Sequence, residues 1–180
     1  VDGFTGQFYV DPDEEILEEL RQKQREQSEQ EKELQKLKEQ ESITGDGRKI
    51  SLYANIGKEN DVLQALMNGA EGIGLFRTEF LYLEKMNYPT EQEQFQIYRY
   101  VAEMMAGRKV VIRTLDIGAD KQAGYFGLEK EENPALGYRA IRICLERRDM
   151  FKTQLRAILR AAAYGNISIM LPMIVLVEEI

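Results

Sequence analysis

Twice along this chain an apolar strand runs directly into an Arg-Thr pair, at GIGLFRTEF (residues 72–80) and at KVVIRTLD (109–116). A strand buried among its neighbours has no use for a guanidinium at its end. A repeated one points to a place where several strand ends meet. Around these segments the pattern alternates strand and helix. ISLYANIG (50–57) is predicted as the first strand, DVLQALMNGA (61–70) as a short helix and GIGLFRTE as the second strand. Thr90 and Glu93, following Pro89, spell a capping box that opens a helix with Phe95, Tyr98, Val101, Ala102 and Met105 on one face. KVVIRTLD is the third strand, helical patterns run over 137–146 and 148–164, and ISIMLPMI (167–174) is the fourth strand. Such alternation calls for a parallel sheet with helices packed outside.

The expected fold class is therefore α/β: the first half of a (β/α)8 TIM barrel, about four βα units, preceded by a long linker helix. Part of an open doubly wound sheet is the alternative. The Arg-Thr ends favour the barrel, which gathers its reactive groups at the carboxyl ends of its strands. By period two, Arg77 shares a strand face with Ile73 and Leu75, and Arg113 shares one with Val111. If those faces point inward, adjacent strands deliver two guanidiniums to one mouth.

Upstream, residues 1–12 pair the turn signals DG and TG with QFYVD and read as a hairpin-like terminus. From Asp11 to Glu41 there is no internal Pro or Gly after Pro12. Ile16, Leu17 and Leu20 lie at one end and Leu34 and Leu37 at the other, with Glu19–Lys23 and Glu29–Lys32 spaced for helical ion pairs. A helix that polar, without a heptad seam, reads as a linker over residues 13–49, with SITGDGRK (42–49) as its hinge. Residues 50–180 form the partial barrel. The chain opens on Val and stops at VLVEEI, which looks like the start of a helix, so a piece of a longer protein is expected.

Composition narrows the function. The net charge of −7 gives nucleic-acid binding no general electrostatic support, so any anion site must be built locally. One cysteine rules out an internal disulfide framework, and no apolar run is long enough to cross a bilayer; a cytoplasmic location is expected. The chain contains no histidine, which removes the commonest general acid–base group.

Arg77 and Arg113 are then the candidate anion clamp, since each guanidinium presents a planar fork to phosphate or carboxylate oxygens. The plainer reading is that Arg77 pairs with Glu79 or Asp116 and merely closes the barrel end. The long segment 116–139 carries Asp116, Asp120 and Lys121 at its start and Arg139 at its end. The Asp116/Asp120 pair is a weak cation motif. Cys144 falls on an apolar helix face with Ile141 and Leu145 and reads as core; Met104, Met105, Met170 and Met173 read as core filling.

Taken together, ANIG (54–57), GAEGIGLFRTEFLYL (69–83), PTEQEQF (89–95), VIRTLDIGADK (111–121), ENPALGYRAIRICL (132–145) and QLRAILRAAAYGNISIMLPMI (154–174) resemble the Enzyme I family of the bacterial sugar phosphotransferase system, the phosphoenolpyruvate–protein phosphotransferases. Residues 1–12 look like the end of that family's phosphohistidine domain. Pyruvate phosphate dikinase and phosphoenolpyruvate synthase share the GxGLxRTE type of strand but are less similar through VIRTLDIGADK. The resemblance implies a dimeric barrel that binds phosphoenolpyruvate (PEP) with Mg²⁺, whose phosphoryl group passes to a histidine and on to the carrier HPr. It implies that Arg77, Arg113 and Arg139 bind substrate. The acceptor histidine and the Mg²⁺-holding carboxylates of the family have no counterpart here, so the chain alone is expected to be inactive in transfer. A non-catalytic interaction or regulatory module is the competing reading. A half barrel also leaves its first and fourth strands as open edges, which makes self-association an expectation.

Overall fold

The computed structural model describes residues 1–38, 40–121 and 123–180. They form two compact units, Val1–Glu41 and Ser42–Ile180. In the first unit an antiparallel bridge joins Asp2 and Gln7, and the Asp2 carboxylate accepts the N–H groups of Phe4 and Thr5 within the turn. Helix α1 then runs over Glu14–Leu37. Asp13 caps it by accepting the Ile16 N–H at 2.9 Å, as expected of an Asp ahead of an acidic first turn. No residue of α1 is buried within the structure, and Glu19–Lys23 forms the expected ion pair at 3.1 Å.

The second unit is a parallel sheet of β1 (Tyr53–Ile56), β2 (Gly72–Arg77), β3 (Val110–Arg113) and β4 (Ile167–Met170), in the order β1-β2-β3-β4. That order decides between the two α/β architectures. A doubly wound sheet reverses direction at a switch point, whereas a barrel adds each strand beside the last. Sequential order is that of the first half of a β/α barrel. Helices α2 (Asp61–Met67), α3 (Glu79–Leu83), α4 (Glu91–Met104), α5 (Ile141–Glu146) and α6 (Arg148–Ala161) complete the unit.

The core is a single layer between sheet and helices. Ile56, Ile73, Phe76, Val110 and Ile112 from the strands are buried with Tyr98 and Val101 of α4 and Ala157 and Ile158 of α6. The capping box expected at Thr90 and Glu93 is present, each closing on the other's backbone N–H. Cys144 is fully buried, and burial pushes its thiol up to about 12, as suits a core residue. Met105 is core; Met170 is not. On edge strand β4, in register with Arg113 on the face away from the helices, it stays 37% exposed, against the expectation of core filling.

Several elements are shorter than their sequence patterns. The fourth strand stops at Met170 because Pro172 lacks a ladder donor. The second strand was expected to reach Glu79 but ends at Arg77, and the chain turns at once into α3, a helix the pattern did not signal. Helical structure expected from 137 begins only at Ile141.

Candidate functional site: an arginine rim at the strand ends

A bulge in β2 sets the geometry of the rim. Ile73 pairs with Val110 and Phe76 with Ile112, so β2 spends three steps where β3 spends two. On the β1 side the shift falls between Ala54, opposite Ile73, and Asn55, opposite Leu75; Gly74 is the extra residue. A Cβ on Gly74 would lie 2.9 Å from the Tyr53 Cβ, so only glycine admits this close approach. The bulge corrects one expectation. Ile73 faces the helices and does not share a face with Arg77, whereas Leu75 does, alternating with fully buried Phe76. Arg113 shares its face with Val111 as expected, Val110 and Ile112 being fully buried on the other side.

Arg77 and Arg113 are direct register partners, the last pair of the β2–β3 ladder. Adjacent strands lie about 4.8 Å apart, so both side chains leave one face at one rim. The pairing question resolves in an unexpected way. Arg113, not Arg77, takes both nearby carboxylates: its Nη2 lies 2.9 Å from Glu79 Oε1 and its Nη1 3.0 Å from Asp116 Oδ2. Arg77 lies over the Phe80 ring, its Cζ 5.0 Å from the centroid, and its buried Nε has no hydrogen-bond partner among the described residues. Gly57 makes room for it, since a Cβ there would stand 3.0 Å from the Phe80 ring and 3.3 Å from Arg77 Nη2.

The segment after β3 closes the cluster. Arg139 donates to Asp116 Oδ1 from Nη2 at 2.9 Å and from Nε at 3.2 Å, and reaches Asp120 at 3.5 Å. Lys121 donates to Glu79 Oε1 at 3.0 Å, and its Nζ lies 4.4 Å from the Phe80 centroid. Four cations (Arg77, Arg113, Lys121, Arg139) thus meet three carboxylates (Glu79, Asp116, Asp120), and Arg77 is also attracted by the Asp61 carboxylate. The carboxylates hold the guanidiniums in place beforehand, while Arg77 keeps its fork unengaged by any of them. All three arginines expected from sequence meet here. Phe80 joins them unannounced, and Glu79 and Lys121, noted in the sequence, take partners that spacing along the chain did not show.

Backbone strain fixes the last of the three arginines. Ala140, next to Arg139, is buried at φ 51°, ψ −122°, a region that side-chain-bearing residues rarely adopt, and its N–H donates to Ile117 O at 3.0 Å. Ala140→Gly is expected to leave stability unchanged or raise it by up to about 1 kcal/mol, since relief of strain opposes the ordinary cost of a buried glycine. A denaturant titration showing a loss above about 1 kcal/mol would refute that strain.

The cluster does not suit a divalent cation. Asp116 spends both oxygens on guanidiniums and Asp120 reaches the same Arg139. Among the described residues no group of three or more His, Cys, Asp or Glu could hold a metal ion. What the rim can do is bind an anion with more than one charged group. Among those residues, too, no helix is long and apolar enough to cross a membrane.

Residues 31–180 match the family described as PEP-utilising enzyme, PEP-binding domain. The chain is 54% identical over 179 residues to the phosphoenolpyruvate-protein phosphotransferase of Geobacillus stearothermophilus, 52% to that of Priestia megaterium and 50% to that of Staphylococcus carnosus. Each comparison covers 99% of this chain and 31% of the relative, so the chain spans about a third of the length of these proteins.

Proposed function

We propose a function from one premise, that this chain belongs to the PEP-utilising enzymes and carries their PEP-binding domain: its arginine rim takes the phosphoryl and carboxylate groups of phosphoenolpyruvate. The observation that carries the reading is the register pairing of Arg77 with Arg113 at the ends of adjacent parallel strands. Arg113, braced by Glu79 and Asp116, is a fixed donor; Arg77, with a free fork over Phe80, is the group able to close on an incoming oxygen pair. Arg139 supplies a third contact. Phosphoryl transfer depends chiefly on positioning and charge, and a rim of preset guanidiniums would offset the charge that develops as the phosphoryl group leaves.

The parent activity we infer is that of a phosphoenolpyruvate–protein phosphotransferase, which passes the phosphoryl group to a histidine and on to HPr. With no histidine in its 180 residues, this chain would provide part of the donor site and not the acceptor. Mg²⁺ would be held by residues of the parent protein outside this chain. Cytoplasmic location and homodimerisation belong to the same reading. So does the assignment of residues 1–12 to the end of a phosphohistidine domain, 13–49 to a linker helix and hinge, and 50–180 to the partial barrel.

The test is titration of the ¹⁵N-labelled chain with millimolar PEP. Shifts should concentrate at the Nε–H groups of Arg77, Arg113 and Arg139 and at the Gly57 amide. They should vanish in Arg77→Ala/Arg113→Ala. Scattered shifts, or shifts indifferent to the double substitution, would leave the rim with a purely structural role.

A further inference from the structure

Beyond Arg77 and Arg113 the β2–β3 ladder has no further pair, because β2 turns into α3 at Glu79. The spacing of the two guanidiniums must then be maintained by something other than backbone pairing. A buried side-chain amide occupies that position. Gln154 of α6 is 1% exposed; its Oε1 accepts the N–H of Leu115 at 3.0 Å, and its Nε2 donates to Thr78 Oγ1 at 3.0 Å and to the Tyr98 hydroxyl at 3.2 Å. Thr78, directly after Arg77, passes the link on by donating to the carbonyl of Arg113 itself at 2.8 Å. Tyr98 donates in turn to Gln94 Oε1 at 3.1 Å, and Gln94 Nε2 donates to Pro89 O at 3.1 Å. The amide oxygen and both amide hydrogens of Gln154 are used, as is the single hydroxyl proton of Thr78 and of Tyr98. A network in which the donors of Gln154, Thr78 and Tyr98 are all engaged holds one geometry more firmly than its separate bonds would.

We infer that Gln154 is a positioning residue, an amide bridge that replaces the missing ladder bonds and sets the separation of Arg77 and Arg113. It touches no substrate. It also accounts for the Thr in each Arg-Thr pair: the arginine faces the rim while the threonine faces the core and ties its strand to the next. Thr114 makes a weaker contact of the same kind one unit on, its hydroxyl donating to Met170 O at 3.5 Å. The inference rests on reading the rim as an anion site. If it holds, ligands that span two arginines depend on the bridge, and ligands that engage one fork do not.

The test compares PEP with inorganic phosphate, a single-centre anion, on the wild-type chain, Gln154→Leu, Thr78→Val and Thr78→Ser. Gln154→Leu and Thr78→Val are expected to weaken PEP about tenfold while phosphate changes less than about threefold. Thr78→Ser, which keeps the hydroxyl, should retain wild-type affinity for both. Equal weakening of both ligands in step with lost stability would mean a merely structural network and overturn the inference, as would unchanged PEP affinity. Should Gln154→Leu fail to fold, Thr78→Val against Thr78→Ser decides. If the wild type binds neither anion, the reading of the rim fails separately, and solvent exchange of the Arg77 and Arg113 Nε–H protons becomes the measure. It should quicken about tenfold in Thr78→Val but not in Thr78→Ser; unchanged exchange would overturn the bridge.

Discussion

Arg113→Ala is expected to cost the sheet unit about 3 kcal/mol of stability, whereas Arg77→Ala should cost less than about 1 kcal/mol. The two residues are register partners with the same side chain, so pattern alone would treat them alike. Their partners differ. Glu79 is 2% exposed, and its Oε1 depends on Arg113 and Lys121 while its Oε2 has no partner among the described residues. Removing Arg113 leaves that buried carboxylate with one cation and strips Asp116 of another. Lys121 keeps its bond, which places the cost at the lower end of the range for breaking a buried pair. Removing Arg77 forfeits its contact with the Phe80 ring and an attraction to the Asp61 carboxylate that involves no hydrogen bond. Denaturant midpoints for the two variants measure the contrast, and Glu79→Gln in the Arg113→Ala background should recover part of the loss. Equal midpoints for the single variants would show that the Arg113 pairs contribute nothing to the fold. Both substitutions should nonetheless abolish the PEP-induced shifts, so Arg77 is the variant that separates binding from stability.

Phe76→Ala is expected to cost about 4 kcal/mol, the largest effect of any single truncation considered for this core. Phe76 is fully buried on the helix side of β2 and meets Tyr98 edge-on, the ring centroids 6.0 Å apart at 87°. Collapse around the vacated space is resisted by the Tyr98 hydroxyl, which Gln94 and Gln154 hold in place. A cavity that cannot close carries both the lost transfer energy and the lost contacts. Val111→Ala, on the less covered face of the neighbouring strand, should cost no more than about 1 kcal/mol. Equilibrium unfolding of the two variants decides it; a loss below about 1.5 kcal/mol for Phe76→Ala would mean that the layer relaxes freely around Tyr98.

Much of this architecture was legible as pattern. Thr90 and Glu93 marked the start of α4 because a capping box is local, needing only four consecutive residues. The faces of β3 followed from strict alternation, and Arg113 fell on its expected side. On β2 the same rule misplaced Ile73, because a bulge is registered against partner strands and leaves no mark in a period-two count. Met170 was read as core for a similar reason: an apolar residue in a strand cannot announce that its strand lies at an edge.

The order of residues along the chain settled which groups stand at the strand ends: the two Arg-Thr pairs, the absence of histidine, and the alternation that commits the chain from β1 to β4 to parallel βα units. These depend on covalent neighbours and on periods of two and 3.6, which a sequence carries openly. Tertiary structure alone decided which arginine is braced and which is free. It brought Lys121 and Glu79 to one rim across 42 residues and set Gln154 of α6 between two strand ends 39 and 76 residues away. Hydrogen bonds and ion pairs act over about 3 Å of space whatever the separation in sequence, so partners so distant become visible only when the chain has closed on itself.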